Sequence, residues 1–348
     1  MSDADQHTVH TRIDGGLGVL TLNRPKALNA LDARMISAMQ EALDQWRDTA
    51  DVRAVWVEGA GDKGLCAGGD VRAVREVIRA GEIDRGMEFF AHEYRLNATI
   101  AEYPKPYVAW MDGVVMGGGI GISGHGSHRL VTQGSRLAMP ETIIGFVPDV
   151  GTLWLLARAP GEVGTHLALT GSTFTGADAV AIGVADHLVS STAKAEVYDA
   201  LSAAVEGAPE EDLRVWGPPE GSELSVDSPL SGQREWIDEC YAGADAHTII
   251  EKLGACQHPE ARDAAALIRQ RSPHSVALTL EALRRAASLS LPEVLEQDLA
   301  LARTCVKHPD FDEGVRAQLV DKDRSPSWAD QDVTQIKRET VLAAFAPE

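Results

Sequence analysis

The chain has 348 residues, of which 44% are hydrophobic and 24% are charged. That composition is typical of globular proteins and excludes a wholly disordered chain. The chain carries 52 acidic and 32 basic residues, so its net charge is −20. A protein this acidic repels the phosphates of nucleic acids and of anionic membranes, which excludes a general nucleic-acid-binding role. An anionic ligand would need a local basic patch.

The cysteines and the apolar segments predict a reducing, aqueous environment. The four cysteines form no C-x-x-C pair, so neither a disulfide framework nor a zinc site is expected, and no other metal site is predicted. The first eleven residues lack the apolar run of a signal peptide. The longest apolar stretch, 107–123, is too short and too rich in glycine to cross a membrane. We therefore expect a cytoplasmic protein that does not contact membranes.

In the first two hundred residues, strand-like runs alternate with helical patterns. Strands are predicted at 18–22, 52–58, 107–111, 128–132 and 184–189. A helix is predicted over 32–47, because four large apolar residues repeat there at helical spacing: Met35, Met39, Leu43 and Trp46. This alternation predicts an α/β fold.

The rest of the chain predicts a connection followed by helices. From residue 207 to 232 the composition shifts towards glycine, proline, serine and acids, as in a connecting segment. After Pro292 a helical face follows, made of Leu295, Leu299, Ala302 and Val306. We predict an α/β core over 1–205, a connecting segment over 206–232 and a helical region over 233–348. The length of the chain is that of about two domains, which agrees with this division.

Two glycine clusters, Ala67–Asp70 and Met116–Gly119, each follow a strand-like run and precede a helical pattern. Glycine lets a ligand approach the backbone, and the first N–H groups of a helix have no partner inside it. Two such N–H groups pointing at one place would form an oxyanion hole. Tight turns without a ligand would use the same residues, and the spacing alone does not separate the two interpretations.

Two carboxyls, Glu141 and Asp149, lie eight residues apart on either side of an apolar stretch. Burial raises the pKa of a carboxyl towards neutrality, so the two are candidates for an acid/base pair. The alternative is structural: Asp149 as the N-cap of a helix over 150–158, and Glu141 as an acid in a first helical turn. The spacing slightly favours this structural alternative.

Three segments together resemble the enoyl-CoA hydratase/isomerase (crotonase) superfamily. They are Asn23–Leu31 (NRPKALNAL), Cys66–Asp70 (CAGGD) and Met116–Gly119 (MGGG). The resemblance implies a spiral of ββα units with a helical C-terminal region, and an acyl-CoA thioester as the substrate. It also implies that the backbone N–H groups of Gly69 and Gly118 form the oxyanion hole.

The sequence departs from the hydratases of that superfamily at one position. Hydratases carry a glutamate just after the triple glycine and a second one in a Pro-Glu segment. Here the second is Glu141, but Gly121 occupies the first position, and Asp149 stands where hydratases usually have glycine. These differences favour a reaction other than hydration.

Several segments are similar to the branch of the superfamily that hydrolyses 3-hydroxyisobutyryl-CoA in valine breakdown. They are 93–97 (EYRLN), 139–142, 146–151, 272–275 (SPHS), 310–317 (DFDEGVRA) and 321–323. The similarity implies a hydrolase for that thioester or a close 3-hydroxyacyl-CoA. It further implies that Glu141 attacks the carbonyl or activates water, that Asp149 is its acid/base partner and that Glu93 contacts the substrate hydroxyl.

The remaining expectations concern partners and alternatives. Lys26, together with Lys63 beside the first glycine cluster, offers positive charge for the phosphates of CoA. No metal or redox cofactor is implied, since coenzyme A is part of the substrate. By analogy with the superfamily, the protein forms a trimer or hexamer. Two other functions stay open: an enoyl-CoA hydratase/isomerase using Glu141 alone, and a non-catalytic acyl-CoA-binding protein.

Overall fold

The computed structural model describes residues 8–346, which form a mixed α/β fold. The strands are β1 (Val9–Asp14), β2 (Leu17–Leu22), β3 (Ala54–Gly59), β4 (Tyr107–Met111), β5 (Val114–Met116), β6 (His128–Thr132), β7 (Arg136–Ala138), β8 (Phe174–Thr175) and β9 (His187–Val189). The helices are α1 (Ala33–Arg47), α2 (Val71–Arg79), α3 (Ile83–Ala101), α4 (Gly118–Gly121), α5 (Thr152–Leu156), α6 (Val163–Thr170), α7 (Gly176–Ala181), α8 (Lys194–Gly207), α9 (Glu210–Arg214), α10 (Arg234–Tyr241), α11 (Ala246–Ala255), α12 (Pro259–Arg269), α13 (Pro273–Ala286), α14 (Leu291–Lys307), α15 (Pro309–Val315) and α16 (Arg338–Ala343).

The larger sheet has the strand order β1-β2-β3-β4-β6-β9. β1 and β2 form an antiparallel hairpin, and every later neighbour in this sheet is parallel. Parallel neighbours need crossover connections, which explains the alternation of strands and helices along the chain. The smaller sheet has the order β5-β7-β8.

Apolar side chains cover the larger sheet on both faces. On one face Trp56 and Trp110 stack at 5.8 Å, and Val197 and Leu201 of α8 belong to the same buried cluster. On the other face α1 packs through Trp46, whose ring fills the space that a side chain at Gly18 would need. Strands covered on both faces read as continuous apolar runs, which is why they were predictable from the sequence.

The predicted elements agree closely with the structure in this part of the chain. The strands 107–111 and 128–132 have the predicted bounds, and the helix predicted over 32–47 begins after its N-cap Asp32. The strand predicted over 184–189 is shorter, since only His187–Val189 is extended. From residue 234 to 346 the described residues are helices, turns and loops, as expected. No helix in the described part of the chain is long and apolar enough to span a bilayer.

By packing, the chain divides into two compact units that alternate along the sequence. Unit 1 contains the described residues up to Gly69, Arg95–Leu137 and Phe174–Ser228, and it holds the larger sheet. Unit 2 contains Asp70–Tyr94, Ala138–Thr173 and the described residues from Pro229 onwards, and it is mainly helical. These boundaries differ from the predicted linear limits at 205 and 232, which stay a prediction.

Candidate active site

The two glycine clusters lie side by side, through hydrogen bonds between residues of unit 1. The N–H of Met116 donates to the carbonyl of Cys66 at 2.9 Å, and the N–H of Cys66 donates to the carbonyl of Val114 at 3.1 Å. Gly68 has φ +105°, and a Cβ atom there would lie 3.6 Å from the nitrogen of Gly118. The structure therefore brings together the two segments that the sequence singled out.

Two N–H groups in these segments stay available to a ligand. Gly118 is the first residue of α4, and Gly117 before it has φ +50°. Among residues 8–346, neither the Gly69 N–H nor the Gly118 N–H donates a hydrogen bond. Unpaired backbone donors are uncommon in folded proteins, so they fit a binding role better than tight turns alone. Such a pair can hold a developing oxyanion.

The two glycine clusters approach each other so closely that one added methyl group at Gly119 should lower the stability of the protein. A Cβ atom at Gly119 would lie 2.3 Å from the Cys66 carbonyl oxygen, whereas Gly207 at the end of α8 has nothing within 4 Å. Because the backbone must shift, we expect Gly119→Ala to lower the free energy of unfolding by about 2 kcal/mol or more. Gly207→Ala is the matched control and should be neutral or slightly stabilising. Chemical denaturation measures both, and equal stability of the two variants would contradict this packing.

Within unit 2 four buried carboxyls form a cluster, here called the carboxyl cluster. Glu93 lies on α3, Glu141 begins the 3-10 turn Glu141–Ile144, Asp149 precedes α5 and Asp298 lies on α14. Their exposed fractions are 2%, 8%, 6% and 0%. The structure thus brings together Glu93, Glu141 and Asp149, as predicted from the sequence.

The side chain of Asp149 is not a helix cap. The helix α5 begins at Thr152 with Gly151 as its N-cap, so the structure contradicts the alternative in which Asp149 is the N-cap. Its carboxyl instead accepts the hydroxyl hydrogen of Tyr94, with 2.6 Å between the oxygens. Its backbone carbonyl accepts the N–H of Thr152 at 2.9 Å. The position predicted for Glu141 in a first turn is confirmed, although the turn is 3-10.

The turn after Asp149 has an uncommon backbone. Val150 has φ +52° and Gly151 has φ +74°, so two consecutive residues are left-handed. A β-branched residue avoids this region, and such strain persists only where surrounding contacts impose it. One of these contacts is the N–H of Gly151, which donates to Oδ2 of Asp298 at 2.8 Å.

Burial raises the pKa values of the carboxyl cluster, and the charge of Asp149 raises those of the other three members further. Burial raises the pKa of Asp149 to about 7, against the hydrogen bond from Tyr94, which lowers it. The pKa of Glu93 is well above its usual range because of burial and then the charge of Asp149. The same causes, with a smaller contribution from Glu93, raise the pKa of Glu141. Carboxyls of this kind can exchange protons near neutral pH.

Among the members of the carboxyl cluster to which the sequence assigns a role, two oxygens lack partners in the described residues. Glu93 Oε1 and Glu141 Oε2 are buried without a hydrogen-bond partner within the described residues. Buried polar atoms are nearly always paired, so these two are candidates to bind a substrate group or water. The described residues contain no group of histidine, cysteine or carboxylate side chains arranged to hold a metal ion.

Lys26 and Lys63 line one cavity of unit 1, with a volume of about 200 Å³. Asn29 also lines it, and its amide donates to the carbonyls of Ala60 and Gly64, which joins the loops that carry the two lysines. Asp62 at the same cavity offsets part of their charge.

Sequence reasoning missed Tyr94 and Asp298. Tyr94 follows Glu93 in the segment 93–97, which is similar to the hydrolase branch of the superfamily. Nothing in the sequence shows that its hydroxyl contacts Asp149. For Asp298 a signal was present, because an acid stands on the apolar face predicted for α14. That face is in fact centred on Asp298, which is buried, while Leu299 is partly exposed.

Comparison with known proteins identifies the class. Residues 17–345 match the family model described as enoyl-CoA hydratase/isomerase, and the chain belongs to this family. Curated relatives include the mitochondrial 3-hydroxyisobutyryl-CoA hydrolases of Danio rerio, with 38% identity covering 95% of this chain and 87% of the relative, and of Homo sapiens, with 37% identity covering 95% and 86%.

Solved structures confirm the predicted crotonase fold. A carnitinyl-CoA dehydratase from Mycobacterium thermoresistibile has a TM-score of 0.89 and 45% identity, covering 99% of this chain and 97% of its own. An enoyl-CoA hydratase from Rhodobacter sphaeroides has a TM-score of 0.89 and 36% identity, covering 98% of both chains. The names of these two proteins and those of the curated relatives thus describe different reactions.

Proposed function

We propose that the protein hydrolyses the thioester of 3-hydroxyisobutyryl-CoA, or of a close 3-hydroxyacyl-CoA, to the free acid and CoA. The observation that carries this proposal is the buried Asp149 carboxyl beside Glu141, at a position where hydratases usually have glycine. The names of the curated relatives support the same reaction.

The reaction needs an acceptor for negative charge and a group that attacks. In the proposal, the N–H groups of Gly69 and Gly118 bind the thioester oxygen as it becomes an oxyanion. The Glu141 carboxylate either attacks the carbonyl carbon, giving an anhydride that water then opens, or removes a proton from an attacking water. In both routes the carbon–sulfur bond breaks, one water is consumed and the thiolate of CoA leaves.

Asp149 supplies the proton in this scheme. A pKa of about 7 allows its carboxyl to give a proton to the leaving thiolate. Asp149 then regains a proton from the water that opens the anhydride or, in the general-base route, from the protonated Glu141. Because the charge of Asp149 raises the pKa of Glu141, the scheme requires a proton to pass from Glu141 to Asp149 before Glu141 acts as a carboxylate. The unpaired Oε1 of Glu93 is the proposed partner of the substrate hydroxyl.

Two alternatives remain. The name of the Rhodobacter sphaeroides structure supports an enoyl-CoA hydratase/isomerase, which here would have to act through Glu141 alone, because Gly121 of α4 has no side chain to position water. A non-catalytic acyl-CoA-binding protein is the second alternative. It does not account for several buried carboxyls with raised pKa values, which are costly to keep without a use.

The remaining parts of the proposal concern context. Lys26, with Lys63, is proposed to contact the phosphates of CoA, and the reaction as written needs no metal or redox cofactor. Valine catabolism follows from the proposed substrate. The four cysteines all lie in the described residues and form no disulfide, which supports a reducing compartment. We place the protein in the cytoplasm, although the curated relatives are named as mitochondrial. A trimer or hexamer stays an analogy with the superfamily.

A paired assay tests the function. The wild-type protein is given 3-hydroxyisobutyryl-CoA, with release of free thiol as the readout, and separately crotonyl-CoA, with loss of the double bond as the readout. We expect kcat/KM for hydrolysis to exceed that for hydration by at least about tenfold. A larger value for hydration would establish the first alternative, and binding without either reaction would establish the second.

A further inference from the structure

Asp298 is the one member of the carboxyl cluster to which the proposed mechanism gives no role. It lies on α14, its side chain is fully buried and its Oδ2 accepts the N–H of Gly151 at 2.8 Å. Its other oxygen, Oδ1, has no partner in the part of the chain that the structure describes. Burying a carboxyl that makes one hydrogen bond lowers the free energy of unfolding more than the hydrogen bond raises it. A role in folding alone therefore does not explain Asp298.

The group that Asp298 holds is the left-handed turn after Asp149. Val150 and Gly151 both have positive φ, and a β-branched side chain makes this conformation unfavourable for Val150. Without the acceptor on Asp298, the Gly151 N–H would be buried and unpaired, and the turn would be free to relax. Because Asp149 immediately precedes Val150, a change in the turn moves the Asp149 carboxyl.

We propose that Asp298 is a positioning residue, which fixes the Val150–Gly151 turn and thereby keeps the Asp149 carboxyl on the Tyr94 hydroxyl. The inference rests on the proposed function, in which Asp149 transfers the proton. Asp298 reaches Asp149 from a helix almost 150 residues later in the chain, through a backbone hydrogen bond and not through the substrate.

The electrostatics favour a neutral Asp298. Burial first, and the nearby charge of Asp149 second, raise the pKa of Asp298 well above its usual range. A neutral acid accepts the Gly151 N–H through its carbonyl oxygen, and the side-chain oxygen of asparagine has the same position and the same role. Asparagine should therefore substitute for Asp298, whereas a side chain without an acceptor should not.

The test compares Asp298→Asn and Asp298→Ala with the wild type. Asparagine should keep kcat within about threefold, while alanine should lower kcat by about 10- to 100-fold with KM changed less than about threefold, because a displaced proton donor slows the chemical step. The control is Asp178→Ala, since Asp178 is also buried and accepts a backbone N–H, from Thr175. This control should lose stability and keep kcat.

Full activity of Asp298→Ala, or equal losses in both variants, would overturn the proposal. If Asp298→Ala does not fold, Asp298→Leu takes its place, since it fills the space without an acceptor. Should neither fold, Asp298→Asn decides alone, and a tenfold loss of kcat in that variant would be incompatible with the positioning role.

A structural readout separates this inference from the proposed substrate. In a crystal structure of the acceptor-free variant, we expect the turn to leave the left-handed region and the 2.6 Å contact between Tyr94 and Asp149 to be lost. An unchanged turn would refute the positioning role whatever the substrate is. A wild-type protein inactive on 3-hydroxyisobutyryl-CoA would instead refute the proposed function, and the crystal structure would still decide the role of Asp298.

Discussion

Glu141→Gln is expected to bind acyl-CoA normally and to lower kcat by about 10²-fold or more. The amide has nearly the shape of the carboxyl, but it can neither attack a carbonyl carbon nor accept a proton from water. Glu141 is buried, and its Oε2 has no partner within the described residues, so the substitution breaks no hydrogen bond of that atom. Titration with a non-hydrolysable acyl-CoA analogue and measurement of steady-state turnover separate binding from chemistry.

Glu58→Gln is the matched control for this variant. Glu58 is a glutamate of unit 1 whose carboxylate accepts the indole N–H of Trp56 and pairs with Lys194 at 3.0 Å. Its substitution should lower stability and leave kcat unchanged. If Glu141→Gln keeps most of its kcat on a substrate that the wild type turns over, Glu141 is neither the base nor the nucleophile.

Asp149→Asn is expected to remain folded and to lose about 10²- to 10⁴-fold in kcat. The structure removes the capping role that would have made asparagine a silent replacement, because α5 begins beyond Asp149. Asparagine can still accept the Tyr94 hydroxyl hydrogen, so the packing is kept while the proton donor is lost. Turnover and thermal unfolding, measured on the same preparation, give the two readouts.

Two further variants identify the cause of the loss. Asp149→Ala removes both the carboxyl and the acceptor for Tyr94, and it should be as inactive as the asparagine variant. Tyr94→Phe removes only the hydroxyl, which leaves the carboxyl able to transfer a proton, so it should cost less activity. An asparagine variant with near wild-type turnover would show that the carboxyl of Asp149 takes no part in the chemistry.

The sequence predicted most of the larger sheet because its strands are covered on both faces. Tyr107–Met111 (YVAWM) is an apolar run between Pro106 and Asp112, so its limits are visible in the sequence. The two glycine clusters were recognisable for a similar reason, since only glycine allows the close approach of Gly119 to Cys66. Local patterns therefore sufficed wherever a local steric requirement fixes the residue type.

The arrangement of the carboxyl cluster was only partly predictable, because its members come from distant segments. The sequence favoured an N-cap role for Asp149, because an aspartate just before a helical pattern is usually the N-cap of that helix. The left-handed conformation of Val150 and Gly151 delays the helix to Thr152, and no local preference of valine indicates that conformation. Tyr94 and Asp149 are 55 residues apart in the chain, and Gly151 and Asp298 are 147 residues apart. A single sequence does not reveal hydrogen bonds between such distant positions.

The carboxyl cluster also changes how folding is coupled to solution acidity. In an unfolded chain the Asp149 carboxyl has a pKa of about 4, whereas burial raises its pKa to about 7 in the folded chain. Between these values the folded chain retains a proton that the unfolded chain has released. Folding therefore takes up protons, and this contribution to stability falls as the pH rises through the window.

The other three members of the carboxyl cluster also make stability fall with rising pH, since burial raises the pKa of each: Glu93, Glu141 and Asp298. Asp186 makes stability rise with pH, because hydrogen bonds and charge from Arg129 outweigh its burial and lower its pKa. The carboxyl cluster therefore favours folding most when the solution is mildly acidic. Any deprotonation that the proposed reaction requires lowers the free energy of unfolding, and the rest of the fold must supply that stability.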